Sequence, residues 1–351
     1  MKSKKFFFEF LVKWNITENK RVMPWKGEKD PYKIWVSEII LQQTQVQQGL
    51  GYYNRFIEKW PNVKSLAAAP KQEVYKLWEG LGYYIRCNNL IATAKYIVDE
   101  LDGKFPDNFD DLLLLKGVGT YTAAAIASFA FNLPHAVVDG NVFRVLARFF
   151  AIKIPVDTTE GKKFFTALAG DLIDKKDPAS YNQALMDFGA TICKPALPLC
   201  DACPLQKECI AYKKNLINVL PVKEKSVRIR ERFFNYLVVT RGDKTYVNQR
   251  TGKDIWQNLY EFILIETESQ LPEKEIINSP SFKVFFKENS YDVTKISKIY
   301  KQKLTHQIIN GRFIHIKIKF PAKAVKTYEA VSAEELVLLP FPKFISAYLA
   351  D

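Results

Sequence analysis

The chain has 351 residues, 48 % of them hydrophobic, which is long for one domain and enough for two separate cores. Lysine and arginine number 51 against 38 acidic residues, a formal net charge of +13, and such an excess favours polyanions, nucleic acid first, through counterion release. No apolar run approaches the length of a membrane span, and five cysteines without an export signal argue against a disulfide framework.

The first fourteen residues, Met1 to Trp14, place basic residues before an apolar run and so imitate a signal peptide. Glu9 and Lys13 interrupt that run and no small-residue cleavage site follows, so an amphipathic helix opening a cytosolic protein is expected. From there to about residue 215, apolar residues recur at three- and four-residue spacing. They predict helices over 34–48, 71–80, 84–101, 120–130, 141–150 and 160–174, separated by Pro61, Pro70, Gly80, Gly82, Gly103, Pro106, Pro134 and Pro155. The charged stretch 216–232 has no core pattern and reads as a basic linker. From Phe233 the texture changes to short β-rich runs, including 236–240 and 262–265. Asn310-Gly311 gives a hairpin signal, and the strand after it sets Ile314, Ile316, Ile318 and Phe320 on one face. The expected architecture is an all-α domain over 1–215 and a smaller α+β domain over 233–351.

Several residues carry chemistry. Glu38 shares a helical face with Ile34 and Leu41, so its carboxyl should be partly desolvated and hold a proton near neutrality. In Leu115-Lys-Gly-Val-Gly-Thr-Tyr-Thr-Ala123, Gly117 and Gly119 allow a tight turn whose following backbone amides can face a phosphate; the same glycines also suit a helix C-cap. Asp139, in Val138-Asp-Gly-Asn-Val142, enters a helix that it or Asn141 can cap. Cys193, Cys200, Cys203 and Cys209 stand as C-x6-C-x2-C-x5-C, four soft ligands for a structural metal or an iron-sulfur cluster.

Taken together, the cysteine cluster, the glycine hairpin, Ser37-Glu-Ile-Ile-Leu-Gln-Gln-Thr-Gln-Val46 and Asp139-Gly-Asn-Val142 resemble the helix-hairpin-helix DNA-repair glycosylases, and among them adenine DNA glycosylases of the MutY type. The resemblance spans nearly the whole chain, most strongly 24–209. It implies one 4Fe-4S cluster on the four cysteines, Glu38 as catalytic acid, and Asp139 stabilising a sugar cation, with Tyr121 and Asn141 positioning Asp139. Gln43 and Thr44 would fill the gap left by an extruded base, Tyr83 of Gly80-Leu-Gly-Tyr-Tyr-Ile-Arg86 would wedge into the duplex, and Gly117 and Gly119 would hold the backbone. The implied partner is double-stranded DNA carrying adenine opposite 8-oxoguanine or guanine, met by a monomer in the cytoplasm at the nucleoid.

The resemblance extends to a Nudix-like C-terminal domain that recognises 8-oxoguanine. Leu304, Thr305 and His306 stand where the family has Phe-Ser-His, so hydroxyl and imidazole are kept and the aromatic is lost. The arginine and glutamate cluster of a Nudix metal site is missing, which implies binding without hydrolysis. Relatives of the endonuclease III type carry a lysine nucleophile where this chain has Tyr121, and some carry lysine where it has Phe143. A tyrosine forms no Schiff base, so that lyase route is excluded. The competing readings are a pyrimidine glycosylase with lyase activity, disfavoured by Tyr121, and a non-catalytic iron-sulfur redox sensor, disfavoured by the intact Glu38 and Asp139.

Overall fold

The computed structural model describes residues 2–224, 229–286 and 291–351, so part of the expected linker, 225–228, lies outside the described residues. The helices of the first two thirds are α1 (Lys2–Thr17), α2 (Pro31–Leu41), α3 (Val46–Lys59), α4 (Val63–Ala68), α5 (Lys71–Trp78), α6 (Ile85–Glu100), α7 (Phe109–Leu114), α8 (Thr120–Phe131), α9 (Gly140–Phe149), α10 (Thr159–Leu172), α11 (Pro178–Thr191) and α12 (Ile210–Lys213). Two compact units form: Met1–Ala68 with Asn89–Lys225, and Ala69–Asn88 with Ser226–Asp351. The second unit thus includes 69–88, a stretch that the boundaries read from the sequence put with the helical domain. Among the described residues no helix is long and apolar enough to cross a membrane.

In the first unit, side chains at helical spacing make the contacts. Phe7, Leu11 and Trp14 of α1 are buried, with Phe7 against Phe149 at 4.8 Å and Trp14 edge-on to Phe188 at 5.1 Å. Helix α8 is alanine-rich, and Ala123, Ala124, Ala125 and Ala127 are buried. Such small side chains let a neighbouring helix approach closely. Side-chain caps start the helices where the chain must turn: Asp30 for α2, Asn108 for α7, Thr158 for α10 and Asp177 for α11. The helix expected over 34–48 is in fact two, α2 and α3, because Gln43 takes a left-handed backbone, φ +55°, and turns the chain at 42–45. The segment to 224 also belongs to this unit: Leu220 is buried and Val222 accepts from the Val156 amide at 3.0 Å.

The second unit holds β1 (Arg230–Arg241), β2 (Lys244–Gln249), β3 (Tyr260–Glu261), β4 (Ile263–Thr267), α13 (Glu273–Asn278), α14 (Pro280–Phe286), β5 (Tyr291–Ile296), β6 (Tyr300–Lys303), β7 (Gln307–Ile318), β8 (Glu329–Val331), α15 (Ala333–Leu338) and α16 (Lys343–Leu349). The sheet runs β3-β2-β1-β7-β5, with β4 on β1, β6 on β7 and β8 on β2. β1 and β7 are parallel, and Phe234 lies opposite Gly311. The expected hairpin at Asn310-Gly311 is therefore not a turn, since β7 runs straight through it. Gly311 is glycine for another reason: a Cβ there would sit 2.5 Å from the Phe234 carbonyl oxygen and 2.9 Å from the Phe344 ring. The real turn is 304–306, closed by the Leu304 amide on the Gln307 carbonyl at 2.7 Å. Ile314, Ile316 and Ile318 are buried as their alternation anticipates, while Phe320 lies past the strand end and is exposed.

The charged end of the expected linker is ordered too. Arg230 to Arg232 open β1, and Arg232 is 7 % exposed, bonded to Asp254 at 2.8 Å and to Glu266 at 2.7 Å. Residues 69–88 join this unit through hydrogen bonds from Lys76 Nζ to the Leu339 carbonyl, 3.0 Å, and from Asn258 Nδ2 to the Tyr75 hydroxyl, 3.2 Å.

Candidate active site

A cavity of about 790 Å³ in the first unit is lined by Glu38, Gln43, Thr44, Tyr121, Asp139 and Asn141, so six residues far apart in sequence come together. Glu38 is 6 % exposed. Burial pushes its carboxyl up to about 7; the Tyr121 hydroxyl, which donates to it, opposes that rise, and the nearby Asp139 carboxylate adds to it. The Tyr121 phenol is itself driven well above its ordinary value by burial and by the two carboxylates.

Asp139 caps α9. Its Oδ1 accepts from the Asn141 and Val142 amides at 2.8 Å each, and its Oδ2 accepts from Asn141 Nδ2 at 2.6 Å. Burial raises its carboxyl, against the pull of these three donors and of Arg144. Arg144 holds the arrangement in place. Its Nη2 donates to Asn141 Oδ1 and to the Gly189 carbonyl at 2.8 Å each, and its Nε donates to the Cys193 carbonyl at 2.6 Å. Gly189 makes room for this, since a Cβ there would lie 2.6 Å from that of Asn141. The two carboxyls therefore sit in unlike environments: one donor aids ionisation at Glu38, whereas three hydrogen bonds, a helix N-terminus and a guanidinium aid it at Asp139. Such a pair can supply a proton on one side of a bond and negative charge on the other.

The hairpin before α8 carries Gly117 at φ +82°, where a Cβ would meet Asn89 at 2.7 Å. Gly119 is the N-cap of α8 with ordinary extended backbone, and no side chain caps the helix there, which leaves first-turn amides for a ligand. Phe143 lines the cavity and stacks edge-on against Phe165 at 5.4 Å.

The four cysteines line a second, smaller cavity in this unit, and none is in a disulfide. Burial, followed by the neighbouring sulfurs, pushes the Cys203 thiol up to about 12; Cys200 and Cys209 are raised for the same reasons. Arg148 Nη1 approaches Cys193 Sγ at 3.5 Å. Among the described residues no three His, Cys, Asp or Glu side chains are arranged to hold a single metal ion.

Tyr83, Leu304, Thr305 and His306 are not in the first unit. They line a cavity of about 490 Å³ in the second, where the Tyr83 and Thr305 hydroxyls share a hydrogen bond. Tyr83 is 40 % exposed and stands at φ +48°, after Gly80 at +93° and Gly82 at +75°. Arg86 steadies this turn, donating to the Gly82 carbonyl at 3.1 Å with its guanidinium 5.2 Å from the Trp78 ring and 5.7 Å from the Tyr83 ring.

Side chains not singled out from the sequence complete the first cavity. Arg21, Lys26 and Gln183 line it, and all three donate to a fully buried carboxylate, Asp187. The available signal was an aspartate inside the apolar run Ala184-Leu-Met-Asp-Phe188, where an unpaired charge would be costly.

A helical fold with a buried acid, a helix-capping aspartate and a glycine hairpin whose helix has no side-chain cap fits a DNA-repair glycosylase, and the comparisons agree. Residues 36–164 match the HhH-GPD superfamily of base excision DNA repair proteins. The chain is 36 % identical over 261 residues to an adenine DNA glycosylase of Buchnera aphidicola subsp. Schizaphis graminum, covering 74 % of this chain and 75 % of the relative. It is 43 % identical over 213 residues to that of Homo sapiens, covering 58 % and 39 %. Among solved structures, a thermostable thymine-DNA glycosylase matches with TM-score 0.57 and 32 % identity over 61 % of this chain and 98 % of the other. A non-covalent endonuclease III–DNA complex matches with TM-score 0.53 at 23 % identity over 61 % and 98 %, which shows the shared fold. The chain belongs to the adenine DNA glycosylases, enzymes of base excision repair.

Proposed function

We propose that the substrate is adenine opposite 8-oxoguanine or guanine in duplex DNA, that a monomer acts on it, and that Glu38 and Asp139 carry the chemistry. The observation that carries this is the buried pair itself: an acid raised to about 7 beside a carboxylate held by three donors. Extruding the base costs a few kcal/mol of stacking. Tyr83 would wedge into the duplex and Gln43 and Thr44 would fill the vacated space, while the amides after Gly117 and Gly119 take a phosphate.

Protonated Glu38 then gives its proton to a ring nitrogen of adenine. The C1′–N bond breaks with its electron pair leaving on the base, and the sugar cation forms against the Asp139 carboxylate, which Tyr121 and Asn141 keep in place. Water adds to C1′ and loses its proton to the Glu38 carboxylate, which restores the acid and leaves an abasic site. No amine stands at position 121 to attack the sugar. Excision of adenine from duplexes with 8-oxoguanine or guanine opposite, no excision of thymine glycol, and little borohydride trapping are expected. Efficient trapping at wild-type level, or thymine glycol as the better substrate, would overturn the assignment.

Cys193, Cys200, Cys203 and Cys209 would hold a 4Fe-4S cluster, which when bound supplies a structural tie for a loop with little core of its own. The donor set fits: four unpaired thiols share one cavity. Sulfurs on a single tetrahedral ion would stand only ~3.8 Å apart; a cubane takes one thiolate per iron and spreads them more widely, so cysteines that share a cavity without converging on a point are compatible with it. Iron and sulfide analysis of anaerobically purified protein tests this, and one zinc without iron would refute it. The second unit would recognise 8-oxoguanine as a Nudix-like domain, using Thr305 and His306 for hydrogen bonds, with Leu304 taking the place of an aromatic.

A further inference from the structure

The guanidinium of Arg232 makes five hydrogen bonds, one for each of its N–H groups. Nε and Nη2 donate to the two oxygens of Glu266 at 2.7 Å each, Nη1 and Nη2 to those of Asp254 at 2.8 Å each, and Nη1 also to Gln307 Oε1 at 3.3 Å. The side chain is 8 % exposed and lies over the Phe234 ring at 4.8 Å. Its partners come from three separate stretches: Glu266 from β4, Gln307 from the first position of β7, and Asp254 from the connection between β2 and β3. Asp254 to Gln257 and Gln302 to Gln307 both line the cavity of the second unit, so one side chain ties two parts of its wall together. Arg250 fastens the first of these again, from Nη2 to Asp254 at 2.9 Å and from Nε to the Ile255 carbonyl at 3.0 Å.

A buried ion pair adds little to stability over apolar residues of similar volume. What only a guanidinium supplies is direction: its planar fork fixes three acceptors relative to one another, which the ammonium of lysine, with three donors on a flexible stem, does not. The turn 304–306 has its foot at this fork. Gln307 follows the turn, the Leu304 amide donates to the Gln307 carbonyl at 2.7 Å and the Arg230 amide to the His306 carbonyl at 3.0 Å, while Thr305 and His306 at the tip are exposed. We propose that Arg232 is a positioning residue for damage recognition, fixing the foot of the 304–306 turn against the Asp254 stretch so that only the tip moves onto the base. The inference rests on this turn reading 8-oxoguanine.

The test is single-turnover excision, by the full-length protein, of adenine opposite 8-oxoguanine and opposite guanine. Arg232→Lys keeps the charge and loses the fork. It should lower the 8-oxoguanine-to-guanine rate ratio about fivefold or more, the scale of weakening one base contact. The rate opposite guanine should stay within about twofold of wild type, since the reacting side chains share no partner with Arg232. Gln307→Leu removes only the fifth bond and should lower the ratio about threefold, as one neutral acceptor among five bonds, so the inference remains testable even if Arg232→Lys folds poorly. Both changes act through one foot, so the double variant should show a ratio no lower than Arg232→Lys alone. A merely structural Arg232 would alter stability and leave the ratio where it was. An unchanged ratio in either folded variant, or losses that multiply in the double variant, overturns the proposal. Thr305→Ala with His306→Ala on the same duplexes separates the two levels: a ratio that falls there but not in Arg232→Lys refutes the positioning role alone, whereas a ratio unchanged in both refutes the reading of the turn as well.

Discussion

The cavity of the first unit and that of the second, which the proposed function assigns to catalysis and to recognition, are built on opposite plans. In the first, Glu38 is buried and bonded to Tyr121, Asp139 has three donors and Asn141 is gripped by Arg144, so the side chains proposed to react are fixed in advance. In the second, Thr305 and His306 lie exposed on a turn and Tyr83 is 40 % exposed. Bond breaking needs charges whose positions and protonation are set in advance, because reorganising them during the reaction adds to the barrier. Reading a base needs groups that can close onto it, so in the proposed function the DNA would supply part of that site.

This contrast can be broken by experiment. Glu38→Gln should have the largest effect, lowering single-turnover excision by about 10³-fold or more with mismatch binding retained, since the amide keeps the shape and cannot protonate the base. Activity within tenfold of wild type would place the acid elsewhere. Asp139→Asn should cost about 10²- to 10³-fold, the scale of losing one preorganised electrostatic partner, again measured at enzyme saturation.

The pH profile sharpens the same point. In the proposed mechanism Glu38 acts protonated, so its value of about 7 predicts a rate that falls about tenfold per pH unit above neutrality. Folding stability follows the same group. Because the folded-state value exceeds the ordinary 4.5, its contribution is fully present below pH 4.5 and is lost as pH rises through 7, by about 3 kcal/mol from a shift of some 2.5 units. Chemical denaturation at pH 8 should find Glu38→Gln more stable than wild type; equal stability there and at pH 5 would show that the carboxyl is not held in a desolvated state.

The smallest effect is expected in the second cavity. Thr305→Ala combined with His306→Ala should reduce the preference for 8-oxoguanine over guanine opposite adenine, each lost contact being worth roughly 1 to 3 kcal/mol. Rates on both duplexes at one fixed salt concentration measure it. An unchanged preference would mean that the turn reads nothing.

Much of the first cavity was legible in the sequence because local rules write it there. Ile34 and Leu41 flanking Glu38 at helical spacing give its burial, and an aspartate two residues before an asparagine at a helix start gives the cap. The turn at Gln43 was not legible: glutamine is a good helix former, and nothing in its type favours the left-handed backbone it adopts. Asn310-Gly311 misled because glycine serves equally in a tight turn and where two strands carry bulky neighbours, and only Phe234 and Phe344 decide between them. The Asp187 cluster was beyond reach, since its partners Asn19, Arg21 and Lys26 lie more than 160 positions away.

Asp139 caps the start of α9 and, in the proposed function, is one of the two reacting carboxyls; asparagine keeps an oxygen for the two backbone amides and gives up only the side-chain bond from Asn141 Nδ2. The helix cap therefore survives the loss of charge, and the damage is confined to one side-chain hydrogen bond. Chaperones and proteases act on unfolded chains and remove variants that open too often, but they have nothing to recognise in this one. A cell carrying Asp139→Asn should keep the protein at its normal abundance, occupying adenine mispairs it cannot process, and a screen for expression or solubility would score it as healthy.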